Sequence, residues 1–288
     1  TQGSSEFTNG LPINAGTYTI KASIAAKGNY AAADSTNTLT LTINKSQPTI
    51  AFVSGYNPGK TYDGQTIPNP TAEQLTITGA SYGNVTFTWY KGSVAEANKL
   101  NAAPKDAGTY SLTASIPETT NTAAASTDPL TVTISKATLT VTGATVASKT
   151  YDGNTAASVS SVTFDGLVSG ETLALNTDYT ATGEFPDANA GTGKSVTVAV
   201  TLKDSAKANN YNLTNSSVNA TGDITKASQT APSISGLPTG TITYGDSFTL
   251  HTESGVSWSA SGSATVDGSG KVTVTGVGKA AITATKPG

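Results

Sequence analysis

Apolar and polar residues alternate along much of this chain with a period of two. In the stretch GTYSLTASI, Tyr110, Leu112, Ala114 and Ile116 alternate with Thr109, Ser111, Thr113 and Ser115. Successive side chains of a strand point to opposite faces, so four apolar groups share one face and four hydroxyl residues the other, as in a half-buried antiparallel strand. LTLTI (39–43), LTVTI (130–134), TLTV (138–141), SVTVAVTL (195–202) and KVTVTG (271–276) repeat the rule. No segment has an amphipathic helical pattern of convincing length. SVAEANKLNAA, from Ser93, comes nearest and predicts one or two turns at a corner.

A longer period overlies the short one. A lysine closes an alternating strand at Lys45, Lys136 and Lys226, positions 91 and 90 residues apart. NAGTYTIKASI starts at Asn14, DAGTYSLTASI starts at Asp106, and DANAGTGKSVTVAV, from Asp187, holds the corresponding place in a third unit. KTYDG occurs twice, in GKTYDGQT (59–66) and SKTYDGNT (148–155), with the copies 89 residues apart. Solenoid repeats run about 20 to 50 residues, so this beat predicts tandem domains. The boundaries fall at the lysines: 1–45 is the C-terminal part of a repeat, 46–136 and 137–226 are full units, and 227–288 is a last unit. INKSQPTI and ISKATLTV pass almost directly from one strand into the next, which predicts stiff, head-to-tail coupling.

About seven short strands per unit, with turn signals every 8 to 12 residues or so, predict immunoglobulin-like sandwiches. The fold class expected is all-β, with tandem sandwich domains strung head to tail as an elongated rod. Trp89, in VTFTWYKG, is placed like the core tryptophan of the third strand. Asp106, Gly108 and Tyr110 have the spacing of a tyrosine corner, in which the phenol closes a loop onto nearby backbone. Leu112 stands where an antibody domain carries its second cysteine, so apolar packing replaces a disulfide. The third unit departs, with Gly193 and Lys194 after AGT, and its corner must be built differently.

Composition narrows the chemistry. The apolar fraction is 36% and the charged fraction 12%, both below the roughly 45–50% and 25% of ordinary domains. Threonine, serine, alanine, asparagine and glycine fill the difference, which favours several small cores over one large one. The absence of cysteine removes disulfides, thiolate nucleophiles and cysteine-ligated zinc. All sixteen basic residues are lysine and the net charge is -3. Nucleic acid is therefore not an expected partner, because bidentate guanidinium contacts and a basic stripe are both missing. No apolar run approaches the eighteen or so residues of a membrane span. Thr1 begins in mid-pattern with no signal peptide, and the chain reads as a piece of something longer.

The full units resemble the tandem YDG- and MBG-type repeats of large bacterial surface proteins. The resemblance rests on KTYDG near the start, AGTY before the penultimate strand, and NY (Asn29 and Tyr30; Asn210 and Tyr211) ahead of the last strand and its closing lysine. It makes 1–45 and 46–136 MBG-type and 137–226 YDG-type. The final unit, from ITYGDSFTL to the run GVSWSASGSATVDGSGKVTVTGVGKAAITAT, is similar to bacterial Ig-like group 2 domains, with Trp258 opening the matched part. The resemblance implies a stalk or adhesive module of a secreted, wall-attached or outer-membrane protein, and says almost nothing of a ligand.

Each candidate for chemistry has a plain structural alternative. Asp63 and Asp152 could serve a repeated calcium site between domains. Against this, Asp63-Gly64 and Asp152-Gly153 suit tight turns, with Tyr62 and Tyr151 packing at a domain edge. A calcium loop also concentrates several oxygen ligands, whereas each copy supplies one carboxylate. His251 is the only histidine, so neither a histidine pair nor an evident Ser-His-Asp triad can be assembled. Nineteen acids, scattered mostly in turns, single out no glycosidase pair. Trp89 and Trp258 read as core, while Tyr90, on the face opposite Trp89, is the candidate for stacking on a sugar. The outward threonine rows raise a remote thought of an ice- or crystal-binding face. Junction lysines could form amide staples with asparagine, or be solvated gatekeepers of edge strands.

The expectation is a non-enzymatic stalk segment of an extracellular bacterial protein, without cofactor or metal, and a monomer. The alternatives are a module that adheres to glycan or host protein, and an accessory region of a secreted carbohydrate-active enzyme.

Overall fold

In the computed structural model the described residues are 12–79 and 82–287. Alternating threonine, valine and leucine suit a pleated, half-buried surface. Accordingly, among the described residues almost all regular structure is strand, with three one-turn 3-10 helices at Ala72–Gln74, Glu96–Asn98 and Ala208–Asn210. The second of these is the single turn realised by the helical pattern after Ser93. The all-β reading holds.

The chain packs as two compact units. The first contains the described residues up to Ala147, with Thr155–Pro186 and Gly193–Gly222. Near its start, Gly16–Ile20 pairs antiparallel with Leu39–Ile43. The spine of 46–136 is Gly108–Ile116. Thr86–Lys91 lies along one edge of it, and Leu130–Ser135 and Ala125–Ser126 share the other. Lys60–Thr61 runs parallel to the far edge of Leu130–Ser135. Thr49–Phe52 and Leu75–Thr78 make an opposing pair, and Ile50, Phe52, Leu75 and Ile77 pack on Ala114 and Ile116. Leu112, fully buried, stands directly opposite Trp89 in register. Burying such a side chain is worth about 1.5–3 kcal/mol, so apolar packing here can stand in for a covalent link.

One residue, Lys136, separates Leu130–Ser135 from the next strand, Ala137–Val146. That strand pairs antiparallel with Val159–Asp165 and parallel with Tyr211–Asn215. In the opposing layer Tyr179–Glu184 pairs with the second half of Gly191–Leu202, whose Val196, Val198 and Val200 are buried. The layers meet at Phe164 and Tyr179, whose rings lie edge to face at 5.0 Å between centroids. Gly166 ends one of these strands with φ 92°, and a Cβ there would fall 2.2 Å from the Thr138 carbonyl oxygen. Both facts require glycine. Tyr62, Ile134, Ala137, Leu139 and Tyr211 belong to one contiguous buried cluster, so the core of 46–136 continues into the next stretch.

The second unit contains Ser148–Asn154, Asp187–Thr192 and the described residues from Asp223 onward. Lys149–Thr150 pairs in parallel with Ile224 and Thr225. Lys271–Val274 lies between Ser247–Thr249 and Ala264–Val266, and Ser257–Gly262 pairs with Ala280–Thr285. Leu250, Ala264 and Val272 form its small core, with Phe248, Trp258, Val266 and Ile282 packed around them.

Candidate functional site

The two KTYDG motifs fold alike locally. Lys60 Nζ donates to Asp63 Oδ1 at 2.6 Å and to the Gln65 carbonyl at 2.7 Å, while the Gln65 N–H donates to the same Asp63 oxygen at 2.9 Å. In the second copy Lys149 Nζ donates to Asp152 Oδ1 at 2.8 Å and to the Asn154 carbonyl at 2.7 Å, and the Asn154 N–H donates to Asp152 Oδ1 at 3.1 Å. Gly64 and Gly153 have φ of 74° and 80°, the left-handed turn that glycine adopts without a steric cost. The motif is thus a lysine-pinned Asp-Gly turn. The lysine hydrogen bond, followed by the backbone N–H, holds both carboxyls below the usual aspartate range. An ammonium already bound to the carboxylate opposes a second cation there. Among the described residues, no group of three or more His, Cys, Asp and Glu is arranged to hold a metal ion.

The two tyrosines of these motifs differ. Tyr151 is 48% exposed, whereas Tyr62 is 6% exposed. Tyr62 lies edge to face with Tyr211, at 5.6 Å between ring centroids, and donates its hydroxyl to Glu171 Oε1 at 2.5 Å. Tyr211 donates to the other Glu171 oxygen and accepts from the Val168 N–H at 3.1 Å. One half-buried carboxylate therefore receives a phenol on each oxygen, one from either side of Lys136. Burial, and then the Glu171 carboxylate, push both phenols up, Tyr211 to about 12. Gly64 closes the contact, since a Cβ on it would lie 3.1 Å from Val168 Cγ1.

A second contact lies beside it. The Tyr110 hydroxyl donates to the Asp106 carbonyl at 2.8 Å, and the Tyr18 hydroxyl donates to the Asn14 carbonyl at 2.7 Å, each closing its AGTY loop. Asn210, 3% exposed, reaches the Asp106 loop: its Oδ1 accepts the Ala107 N–H at 2.7 Å and its Nδ2 donates to Asp106 Oδ1 at 3.3 Å. In the third AGT stretch Asp187 Oδ1 instead accepts the Asn189 N–H at 2.8 Å.

The remaining candidates fall elsewhere. Trp89 is buried and donates from Nε1 to Asn69 Oδ1 at 3.0 Å. Tyr90 is half-buried and bridges to Lys99. Trp258 is half-buried against the core of the second unit. His251 is exposed, and its backbone pairs with Ser235. Lys45 forms an ion pair with Glu118. The long-range polar contacts thus centre separately on Glu171 and on Asn210, and sequence reading singled out neither as a site. Glu171 lies in no motif. Asn210 was visible only as half of NY, with no sign of its reach.

Residues 134–220 match the family model of the YDG domain. The match falls on the stretch that carries the second KTYDG copy and contains Glu171, Asn210 and Tyr211. No curated protein matches the chain. Among solved structures, the three N-terminal domains of the bacteriophage RB49 Highly Immunogenic Outer Capsid protein (Hoc) align at 15% identity over 80% of this chain and 87% of theirs, with a TM-score of 0.21. Sidekick-1 immunoglobulin domains 1–5 align at 10% identity over 96% of this chain and 76% of theirs, with a TM-score of 0.20.

Proposed function

We propose that this chain is a non-enzymatic structural segment of a bacterial extracellular surface protein, a stalk of serial sandwich domains that projects other parts of the molecule. On this reading 46–136 is an MBG-type domain, 137–226 the YDG domain, and 227–288 an Ig-like group 2 domain. The observation that carries the reading is the junction at Lys136. A strand ends at Ser135 and the next begins at Ala137, and the cores on either side are continuous through Tyr62, Ala137 and Tyr211. Such a junction leaves no slack to absorb load. Pulling is then resisted by the backbone ladders of neighbouring strands and by the Glu171 contact, not by a linker.

Single-molecule stretching of the whole chain between its termini tests the reading. Serial load-bearing domains give a sawtooth in which each unfolding of about 90 residues releases some 300 Å of chain, at roughly 3.3–3.6 Å per residue. Extension without resolved force peaks overturns the proposal. The adhesive alternative has less support, because Tyr90 is half-buried beside Lys99. A saturable glycan-array signal that Tyr90→Ala abolishes would reinstate it.

A further inference from the structure

The bridge made by Asn210 occurs twice. Asn121 stands in the 46–136 stretch where Asn210 stands in the next, each just ahead of a residue that bridges to the one following a junction lysine: Thr122 to Ser46 and Tyr211 to Ala137. Asn121 Oδ1 accepts the Ala15 N–H at 2.7 Å, and its Nδ2 donates to Asn14 Oδ1 at 3.0 Å. Asn210 Oδ1 accepts the Ala107 N–H at 2.7 Å, and its Nδ2 donates to Asp106 Oδ1 at 3.3 Å. Asn14-Ala15 and Asp106-Ala107 are the same two positions of the AGTY loop. Both bridges lie within the first compact unit and cross 106 and 103 residues of sequence at the Ala N–H contact.

We infer that this asparagine is an interaction site, a plug that recognises the Asn/Asp-Ala pair of the preceding AGTY loop and fixes how one sandwich docks on the last. The chemistry selects asparagine. The backbone N–H of Ala15 or Ala107 can only donate, so the plug must present an acceptor to it. As placed, Asn14 Oδ1 or the Asp106 carboxylate accepts, so the plug presents a donor beside it. A primary amide supplies both on separate atoms of one carbon; a carboxylate lacks the donor and leucine lacks both. The tyrosine corner serves the same contact, because the Tyr18 and Tyr110 hydroxyls hold the carbonyls of Asn14 and Asp106 and so set the loop that receives the plug. No asparagine occurs between positions 227 and 288, so the last stretch brings no plug of this kind. The inference concerns recognition between neighbours and holds whether or not the chain acts as a stalk.

The two receiving loops differ in one way that makes a test. Asp106 is an acceptor only, whereas the Asn14 amide can turn and donate. Asn210→Asp therefore sets a carboxylate against a carboxylate, while Asn121→Asp meets an amide that can reverse. In the full chain, amide exchange of Ala107 in the Asn210→Asp variant is expected to quicken by roughly tenfold or more, the scale of one lost hydrogen bond. Adding Asp106→Asn restores its protection. Asn121→Asp leaves Ala15 exchange within about threefold of the parent. Should Asn210→Asp fail to fold, recovery of folding by Asp106→Asn supports the inference equally well. Equal effects of the two aspartate substitutions, no change at Ala107, or no rescue by Asp106→Asn would each overturn the inference.

Discussion

Tyr62 donates its hydroxyl to Glu171 across 109 residues of sequence, from the turn of one KTYDG motif to a carboxylate that also receives Tyr211. Neither phenol meets bulk water, so the carboxylate between them carries much of the polar satisfaction at this junction.

Removing one hydroxyl and removing the acceptor should therefore differ. Tyr62→Phe keeps the ring and forfeits one hydrogen bond to a charged group, about 1.5–3 kcal/mol. Glu171→Ala strands two buried hydroxyls and should cost more than Tyr62→Phe. Urea unfolding of the three proteins checks the order, and an equal midpoint for both variants contradicts it.

Alkali should release the same junction. The phenol pKa values in the folded state lie above the ordinary value near 10, with Tyr211 at about 12. The folded chain thus holds protons that the unfolded chain has lost. Stability from these tyrosines is complete below about pH 10 and falls as pH rises from there towards 12. Tyrosinate absorbance should contain a late step, above the ordinary value near 10, that shrinks in Tyr62→Phe and in Tyr211→Phe. A late step unchanged in both variants would refute the assignment.

Acid acts through Asp178. It is buried and held below the usual range, first by the Ala174 N–H on Oδ2 at 2.8 Å and then by the Ser205 hydroxyl on Oδ1 at 2.8 Å. A depressed pKa contributes stability above the unfolded value near 4, lost as pH falls through the folded value. Asp178→Asn should flatten the fall of melting temperature below about pH 4 as well as lower it at neutrality. An unchanged acid limb would show that other carboxylates govern it.

Gly166→Ala tests the backbone directly. With φ at 92° and the Thr138 carbonyl 2.2 Å from the new Cβ, either the turn or the strand pairing beside it must give way. A loss of at least about 1–3 kcal/mol is expected. Gly170→Ala, whose φ is similar but whose Cβ would meet nothing within 4 Å, should lose less.

The lysines should carry no amide staple. The junction lysine Lys45 is ion-paired with the exposed Glu118, which directs its amine to a carboxylate and not to an asparagine amide. The intact mass should equal that of the uncorrected sequence, and any loss of ammonia would reverse this.

Strand positions were legible in the sequence because the period-two pattern of stretches such as GTYSLTASI is set by local geometry alone. Leu112 facing Trp89 follows from the same alternation. The Lys60–Asp63 turn was readable as a turn, since Asp-Gly favours one, but its lysine was not, because the pattern gives no distance between side chains three residues apart outside a helix. Glu171 and Asn210 act across long sequence separations through side chains that break no local rule. An isolated glutamate in a turn and an asparagine before a strand look alike whether they face water or a neighbour. Repetition was the available signal for the asparagine: Asn121 and Asn210 hold equivalent places, yet the second is followed by Tyr211 and the first by Thr122, which hid the match.

The continuity between Ser135 and Ala137 also bears on the order in which the chain can fold. The partners of Tyr62 lie downstream at Glu171 and Tyr211, so a polypeptide emerging from its N-terminus completes the 46–136 ladders before it can seal that tyrosine. Closing contacts over such spans is slow relative to pairing adjacent strands. A nascent chain would therefore carry a wet, unfinished end at Tyr62 until Glu171 and Tyr211 have arrived to cap it.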